Sequence, residues 1–286
     1  MNVLLIGGTR FIGRRAVDHL VAHGHAVTLV HRGLHDPAGV PGVTHVHGDR
    51  ADLATLLPAD ARWDAVLDCV ALRPALVDVS AAALAGRVGR IVQVGSMSVY
   101  HRWGPEPLTE AFPRWPCTPE EAADTTMDTY CQRKAECERR GQAWADADGI
   151  PFSVAHLGIV IGKGDYTDRV DTWIRGARAG VVVAAPYDLA PLVWVDDVAR
   201  ALVAMVEGAG VGAYNLSLPG QRTLPRWLAA LRNVLGVEFR VEAPPAGEVP
   251  GLQSDEPVTV SVDRAIEHLG FAPHPVETAL KEIVGR

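Results

Sequence analysis

Residues 3 to 13 limit the fold of this chain more tightly than any other stretch. Val3, Leu4, Leu5 and Ile6 form an apolar run that enters Gly7 and Gly8 directly, with Gly13 and a helix-like pattern behind them. Strand, glycine turn and helix in that order let backbone N–H groups at a helix N-terminus hold the pyrophosphate of a dinucleotide. Gly7 permits the tight turn, and Gly8 and Gly13 leave room for phosphate and for helix against strand. The turn Gly7, Gly8, Thr9, Arg10, Phe11, Ile12, Gly13 is spaced G-G-x-x-x-x-G rather than G-x-G-x-x-G. Taken alone, it also fits a plain glycine turn between a buried strand and its helix.

The hydrophobic pattern extends this unit into an α/β fold. Strands are expected over residues 3–6, 26–30, 43–46, 65–69, 90–94 and 152–157, and helices over 11–23, 52–57, 76–84 and 129–147. Alternation of this kind implies a Rossmann-type doubly wound parallel sheet with right-handed crossovers. Beyond residue 158 the alternation thins. Helices are expected at 170–178, 196–207, 224–235, 263–268 and 275–284, and strands at 181–184, 213–216 and 239–242. The Pro-, Gly- and acid-rich stretch 244–257 reads as loop.

Composition excludes several classes of function. A formal net charge of −7 over 286 residues gives no electrostatic footprint for nucleic acid. No apolar run is long enough to span a bilayer, and the chain enters a strand at residue 3, which leaves no signal peptide. A cytoplasmic protein is expected. Cys69, Cys117, Cys131 and Cys137 form no C-x-x-C pair and read as reduced thiols. The eleven histidines show no metal-binding spacing, although His19, His23 and His25 crowd one helix end.

Two later segments carry chemistry. Gly95-Ser96-Met97-Ser98-Val99-Tyr100 follows the apolar run 91–94, and Tyr130 and Lys134 lie four apart on one helix face. With the N-terminal turn, this pattern resembles the extended short-chain dehydrogenase/reductase family, of the NAD-dependent epimerase/dehydratase-like kind. Gly48-Asp49-Arg50, Trp194-Val195-Asp196-Asp197-Val198-Ala199 and Leu269-Gly270-Phe271-x-Pro273 resemble further segments of that family, so the likeness spans essentially the whole chain. The glycine turn and the stretch 164–169 resemble an atypical branch, near reductase- and epimerase-like proteins and a chloroplast RNA-binding relative.

The resemblance implies a dinucleotide-binding core over residues 1–157. It also implies a small C-terminal substrate-binding lobe, mainly 158–286, with about 190–216 returning to the core. The end of the second strand reads Val30-His31-Arg32-Gly33, with no acid before Asp36 to bind a ribose 2′-OH. Arg32, joined by Arg10, is placed to pair with a 2′-phosphate, so NADP is expected over NAD. The alternative is that Arg32 is a solvated turn residue and Arg10 stacks on the adenine. Asp49, with Arg50 beside it, takes the position of the family's adenine-contacting acid, or is a solvated loop acid. Cys69, Val70 and Ala71 stand where relatives line the nicotinamide riboside, or simply end a buried strand.

For the reaction, the resemblance assigns Tyr130 as proton donor or acceptor and Ser96 as the group that holds the substrate oxygen. Lys134 is assigned a hydrogen bond to the nicotinamide ribose. A cation one helical turn away is also expected to lower the Tyr130 pKa. Ser98 is the rival to Ser96, or a turn residue. The stretch between Ser96 and Tyr130 carries Trp103, Trp115 and five prolines and reads as a long loop walling the pocket. Its tryptophans stack on a planar or sugar-like ligand, or pack in the core. Asp168 and Arg169 face the pocket by analogy, with Arg169 gripping an anion, or pair with each other at a helix start. The segment at Asp196 is expected near the substrate side.

The leading expectation is therefore an NADP-dependent oxidoreductase moving hydride to or from a carbonyl or secondary alcohol of a small molecule, with sugar- or nucleotide-like compounds among the candidates. A nucleotide-sugar epimerase with tightly bound NAD is the second reading. A non-catalytic cofactor sensor or RNA-binding relative is the third, opposed by the acidic balance and the intact Ser96, Tyr130 and Lys134. The family further implies a homodimer, formed through the Tyr130 helix and its neighbour.

Overall fold

The computed structural model describes residues 1–35, 42–101, 106–218, 223–246, 248, 251–254 and 258–285. In chain order the elements are β1 (Asn2–Ile6), α1 (Phe11–Ala22), β2 (Ala26–His31), β3 (Val43–His47), α2 (Leu53–Leu56), β4 (Ala65–Asp68), α3 (Pro74–Leu84), β5 (Ile91–Val94), α4 (Pro119–Ala123), α5 (Tyr130–Asp148) and β6 (Phe152–Leu157). There follow β7 (Ile159–Ile161), α6 (Arg169–Arg178), β8 (Val181–Val183), β9 (Leu192–Trp194), α7 (Val195–Val206), β10 (Gly212–Leu216), α8 (Leu224–Leu235), β11 (Arg240–Glu242), α9 (Asp263–Leu269) and α10 (Val276–Val284).

Seven strands form one parallel sheet in the order β10-β6-β5-β4-β1-β2-β3. The order reverses between β1 and β4, and that switch point is where open α/β sheets bind ligands, outside the carboxyl ends of the strands. The unbroken apolar run of β1 is explained by this position. Val3 to Ile6 are buried because helices cover both faces of the sheet. On one side α1 and α7 pack together over Leu5, Leu29 and Leu67. On the other, α3 and α5 contribute Leu84 and Trp144 against Leu4, Ile6 and Phe152. A further apolar cluster, with Trp173, Trp227, Leu231 and Leu280, gathers α6, α8 and α10. No helix among the described residues is long and apolar enough to cross a membrane.

Three local expectations are corrected. The apolar run after Leu157 continues past Gly158 as β7, which pairs in parallel with β9; neither strand was expected. The stretch between Ser96 and Tyr130 is not continuous loop. Thr118 caps α4, accepting from Glu121 N–H while the Glu121 carboxylate accepts from Thr118 N–H. The fourth strand ends at Asp68, one residue early, because Asp68 turns its carboxylate into a buried ion pair.

Candidate active site

The glycine turn closes tightly over the end of β1. Gly7 and Gly8 have φ of +79° and +106°, where a side chain is strained, and Gly7 N–H donates to Val30 O at 3.0 Å. A Cβ on Gly8 would collide with Leu5 and Leu29, and one on Gly13 would overlap Gly8 itself. Arg10 precedes α1 and no side chain caps the helix, so its first N–H groups are left for an acceptor outside the chain.

These groups open into a cleft of about 580 Å³. Thr9, Arg10, Phe11, Ile12, Arg32, Asp49, Arg50, Cys69 and Val70 all line it, as the sequence suggested. His31, His35, Leu72, Arg73 and Tyr166 line it too and were not foreseen. The Arg10 guanidinium lies 3.7 Å from the centre of the Tyr166 ring, and Phe11 meets that ring edge-on. Tyr166 therefore reaches from the 162–168 segment to the glycine turn, a placement only tertiary structure reveals. Arg32 and Arg73 are exposed and have no ion pair among the described residues, and Asp49 is the one acid among the described lining residues. A tight glycine cradle, uncapped helix N–H groups and surplus cations suit a dinucleotide carrying phosphates. Asp36 lies outside the described residues.

Asp49 accepts from Ala51 N–H at 2.9 Å and so caps its own turn. Arg50 is buried behind the cleft wall. It binds both Asp68 oxygens at 2.9 and 2.5 Å, Ser80 Oγ at 3.0 Å and Val70 O at 3.2 Å, so its guanidinium braces the wall at Cys69 and Val70. Ala71, fully covered, accepts from Lys134 instead.

Ser96 follows β5 at the carboxyl edge of the sheet. Its Oγ accepts from Ser98 N–H at 3.2 Å and Ser98 O–H at 2.9 Å. Ser98 is thus the group that orients Ser96. With its lone pairs so engaged, Ser96 keeps its own proton to donate, and it neighbours the Tyr130 side chain, where it opposes the rise in the phenol's pKa. Burial pushes the Tyr130 pKa up, and Ser96 and Arg133 pull only partly against it. The expected lowering by Lys134 is not found. The lysine is 4% exposed and its Nζ donates to Ala71 O at 2.8 Å and Val94 O at 2.7 Å. Burial pushes its own pKa down. Lys134 therefore joins the cleft wall to the strand that carries Ser96. Arg133, also missed, donates to Leu72 O and Thr129 Oγ1, each at 3.1 Å, and to Thr126 O, which holds the segment before Tyr130 against the same wall.

Other candidates lie elsewhere. Asp168 pairs with Arg175 at 2.7 and 3.0 Å, not with Arg169, because residues seven apart share a helix face and adjacent ones do not. Arg169 is exposed at the start of α6. Trp115 packs on the core with its ring against His101, and Trp103 lies outside the described residues. Asp196 and Asp197 do not face the cleft; they bind α1 and the C-terminal segment. The fold also gathers two groups that no spacing announced, His31 with His45 and His47, and His23 with His25 and Glu207. In the first, Gly33 N–H donates to His31 Nδ1, so the His31 Nε2 proton points at His45 Nδ1, 2.8 Å away.

The chain is similar to known proteins in sequence and in fold. A (4-alkanoyl-5-oxo-2,5-dihydrofuran-3-yl)methyl phosphate reductase of Streptomyces griseus subsp. griseus is 30% identical over 247 residues, 84% of this chain and 76% of the relative. A 2-alkyl-3-oxoalkanoate reductase of Stenotrophomonas maltophilia is 33% identical over 116 residues, 36% of this chain and 35% of the relative. The solved structure of MoeE5 with UDP-glucose and NAD superposes with a TM-score of 0.78 at 21% identity, covering 100% of this chain and 98% of that one. Residues 3–217 match the NAD dependent epimerase/dehydratase family, and the chain belongs to that family.

Proposed function

We propose that this chain is an NADPH-preferring reductase of a small carbonyl compound, with Ser96, Tyr130 and Lys134 at its centre. The observation that carries the reading is that Ser96, at the carboxyl edge of the sheet, neighbours the Tyr130 side chain, with Lys134 one helical turn on and bonded to Val94 O. Residues 1–157 would hold the cofactor. The glycine turn and the start of α1 would take the pyrophosphate, Arg32 and Arg10 a 2′-phosphate, and Lys134 the nicotinamide ribose. When bound, the cofactor supplies hydride; the chain supplies position and a proton. Ser96 would hold the carbonyl oxygen, and Tyr130, kept protonated by burial, would donate to it as charge develops.

Two supports favour reduction. The curated relatives are both named as reductases of oxo compounds bearing an alkyl or alkanoyl group. Exposed Leu72 and Met127, on segments that Arg133 draws together, offer apolar surface beside Tyr130. An alkyl-bearing 3-oxo acid is therefore the first substrate to test. Residues 158–286 would mainly contact it, with about 190–216 returning to the core, and a homodimer through α3 and α5 belongs to this reading. The second reading, an epimerase with resident NAD, draws on the UDP-glucose and NAD bound to MoeE5.

Replacing Tyr130 by Phe should abolish NADPH-dependent turnover of a 2-alkyl-3-oxoalkanoate and leave cofactor affinity within about twofold. Retained turnover would refute the site. Arg32→Asp should shift the NADPH to NADH affinity ratio at least about tenfold toward NADH, the effect of losing one charge-assisted contact. Denatured protein that releases stoichiometric NAD would establish the epimerase reading instead.

A further inference from the structure

A buried hydrogen-bond chain lies behind Ser96, and its donors can be assigned one by one. It begins at Asn215 on β10, whose Nδ2 donates to Leu108 O at 3.1 Å and Ser261 O at 3.3 Å. Two carbonyl partners fix the amide, so Oδ1 must accept, and the Tyr100 hydroxyl donates to it at 2.6 Å. A phenol has one proton. The 2.8 Å contact between the Tyr100 oxygen and His156 Nδ1 therefore has the imidazole as donor. The other ring nitrogen, Nε2, lies 2.9 Å from Glu138 Oε2. Arg114 stands 3.2 Å from the second Glu138 oxygen. Burial pushes the Glu138 carboxyl up, but His156 and Arg114 outweigh it and hold the group below its usual range, as a carboxylate. His156 Nδ1 thus carries a proton, and Nε2 ties the ring to α5 through Glu138.

The ring is 0% exposed and touches both sides of the turn that carries Ser96. Before the turn, a Cβ on Gly95 would sit 3.0 Å from His156 Cδ2. After it, Tyr100, 1% exposed, is the ring's hydrogen-bond partner. Glu138 belongs to α5, where Tyr130, Lys134 and Glu138 recur every fourth residue on one face. The charges facing His156 come from every side of this pocket. They are Glu138 on α5, Arg114 in the preceding loop, and Glu110, which accepts from Asn215 N–H at 2.8 Å.

We propose that His156 is a positioning residue that locks the Ser96 turn to the helix bearing Tyr130 and so sets how their hydroxyls meet. The proposal rests on the reading of Ser96 and Tyr130 as the reactive pair.

The test uses the intact chain labelled with 15N-histidine and 13Cζ-tyrosine. The His156 Nδ1 resonance should be that of a protonated nitrogen whose proton is bonded to the Tyr100 oxygen. An unprotonated Nδ1 in the unaltered protein would overturn the proposal whatever the activity. In Tyr100→Phe and His156→Gln, with fold verified by circular dichroism, Tyr130 should titrate about one pH unit higher, because Ser96 no longer donates to it squarely. NADPH-dependent kcat on a 2-alkyl-3-oxoalkanoate should fall with cofactor affinity unchanged. If both folded variants leave the Tyr130 titration in place, the positioning role is wrong. Turnover retained in Tyr130→Phe would instead overturn the reductase reading, and the histidine spectrum distinguishes the two failures.

Discussion

Arg50 and Tyr130 show what burial does to a single polar group. Arg50 and Asp68 form a two-pronged ion pair that is almost wholly covered. Removing one partner leaves a charge with neither water nor counter-ion, and such losses cost about 3–5 kcal/mol. Arg50→Met should therefore lower unfolding free energy in urea by that order, and a double change of Arg50 and Asp68 to apolar residues should recover much of it. A single-variant loss under about 1 kcal/mol would show that the pair is not what braces the Cys69–Val70 wall. For Tyr130 the consequence is in the pH profile. Burial raises its pKa, and Ser96 opposes the shift. The protonated phenol is the form a reduction needs, so kcat/KM for reduction should hold level through neutral pH and decline only as the phenol ionises in the alkaline range. Ser96→Ala removes a downward pull, so its alkaline limb should move to higher pH while the plateau drops. A limb moving lower would contradict that downward pull.

At the scale of elements, α1 fits where it does only because Gly13 lets it touch Gly8. Gly13→Ala puts a methyl group into the backbone of the turn, so α1 must retreat from the sheet and its N–H groups with it. NADPH affinity should fall at least about a hundredfold, or about 2.7 kcal/mol, with helix content by circular dichroism little changed. An unchanged affinity would mean that the helix start does not hold the cofactor. This element was readable in the sequence because each of its constraints is local: an apolar run, a turn and a period. The spacing of Tyr130 and Lys134 was readable for the same reason, and Glu138 continues that row. The capping box at Thr118 and Glu121 was equally local, but the surrounding prolines masked it. Tyr166 over Arg10, Asp168 with Arg175, and Lys134 between the carbonyls of Ala71 and Val94 were not readable. Each depends on where a loop or helix returns after the sheet has formed, and burial rather than charge spacing then decides the titration of Tyr130.

Across the whole molecule, the C-terminal segment fastens the outer apolar cluster to the helix that begins the cofactor cleft. Asp197, buried at the start of α7, accepts from His274 N–H at 2.9 Å and pairs with His274 Nδ1 and Arg200. Asp196 binds His19 of α1 at 2.8 Å. Glu282, on α10, pairs with Arg15 of α1 and accepts from the Trp194 indole N–H at 2.9 Å. Since α10 also packs in the cluster of Trp173 and Trp227, α1 and that cluster share one set of polar anchors. They should unfold together, and NADPH at about a hundred times its Kd should raise the whole transition by about 2.7 kcal/mol. Asp197→Ala removes the acceptor of the His274 N–H and loosens the segment that leads to α10, while Arg200 keeps Asp196. Tryptophan fluorescence should then split in two, an early transition from Trp173 and Trp227 that no longer responds to NADPH and a later one from Trp63 and Trp144 in the sheet core that does. Coincident transitions in that variant, both moving with NADPH, would show that apolar packing alone couples the two parts.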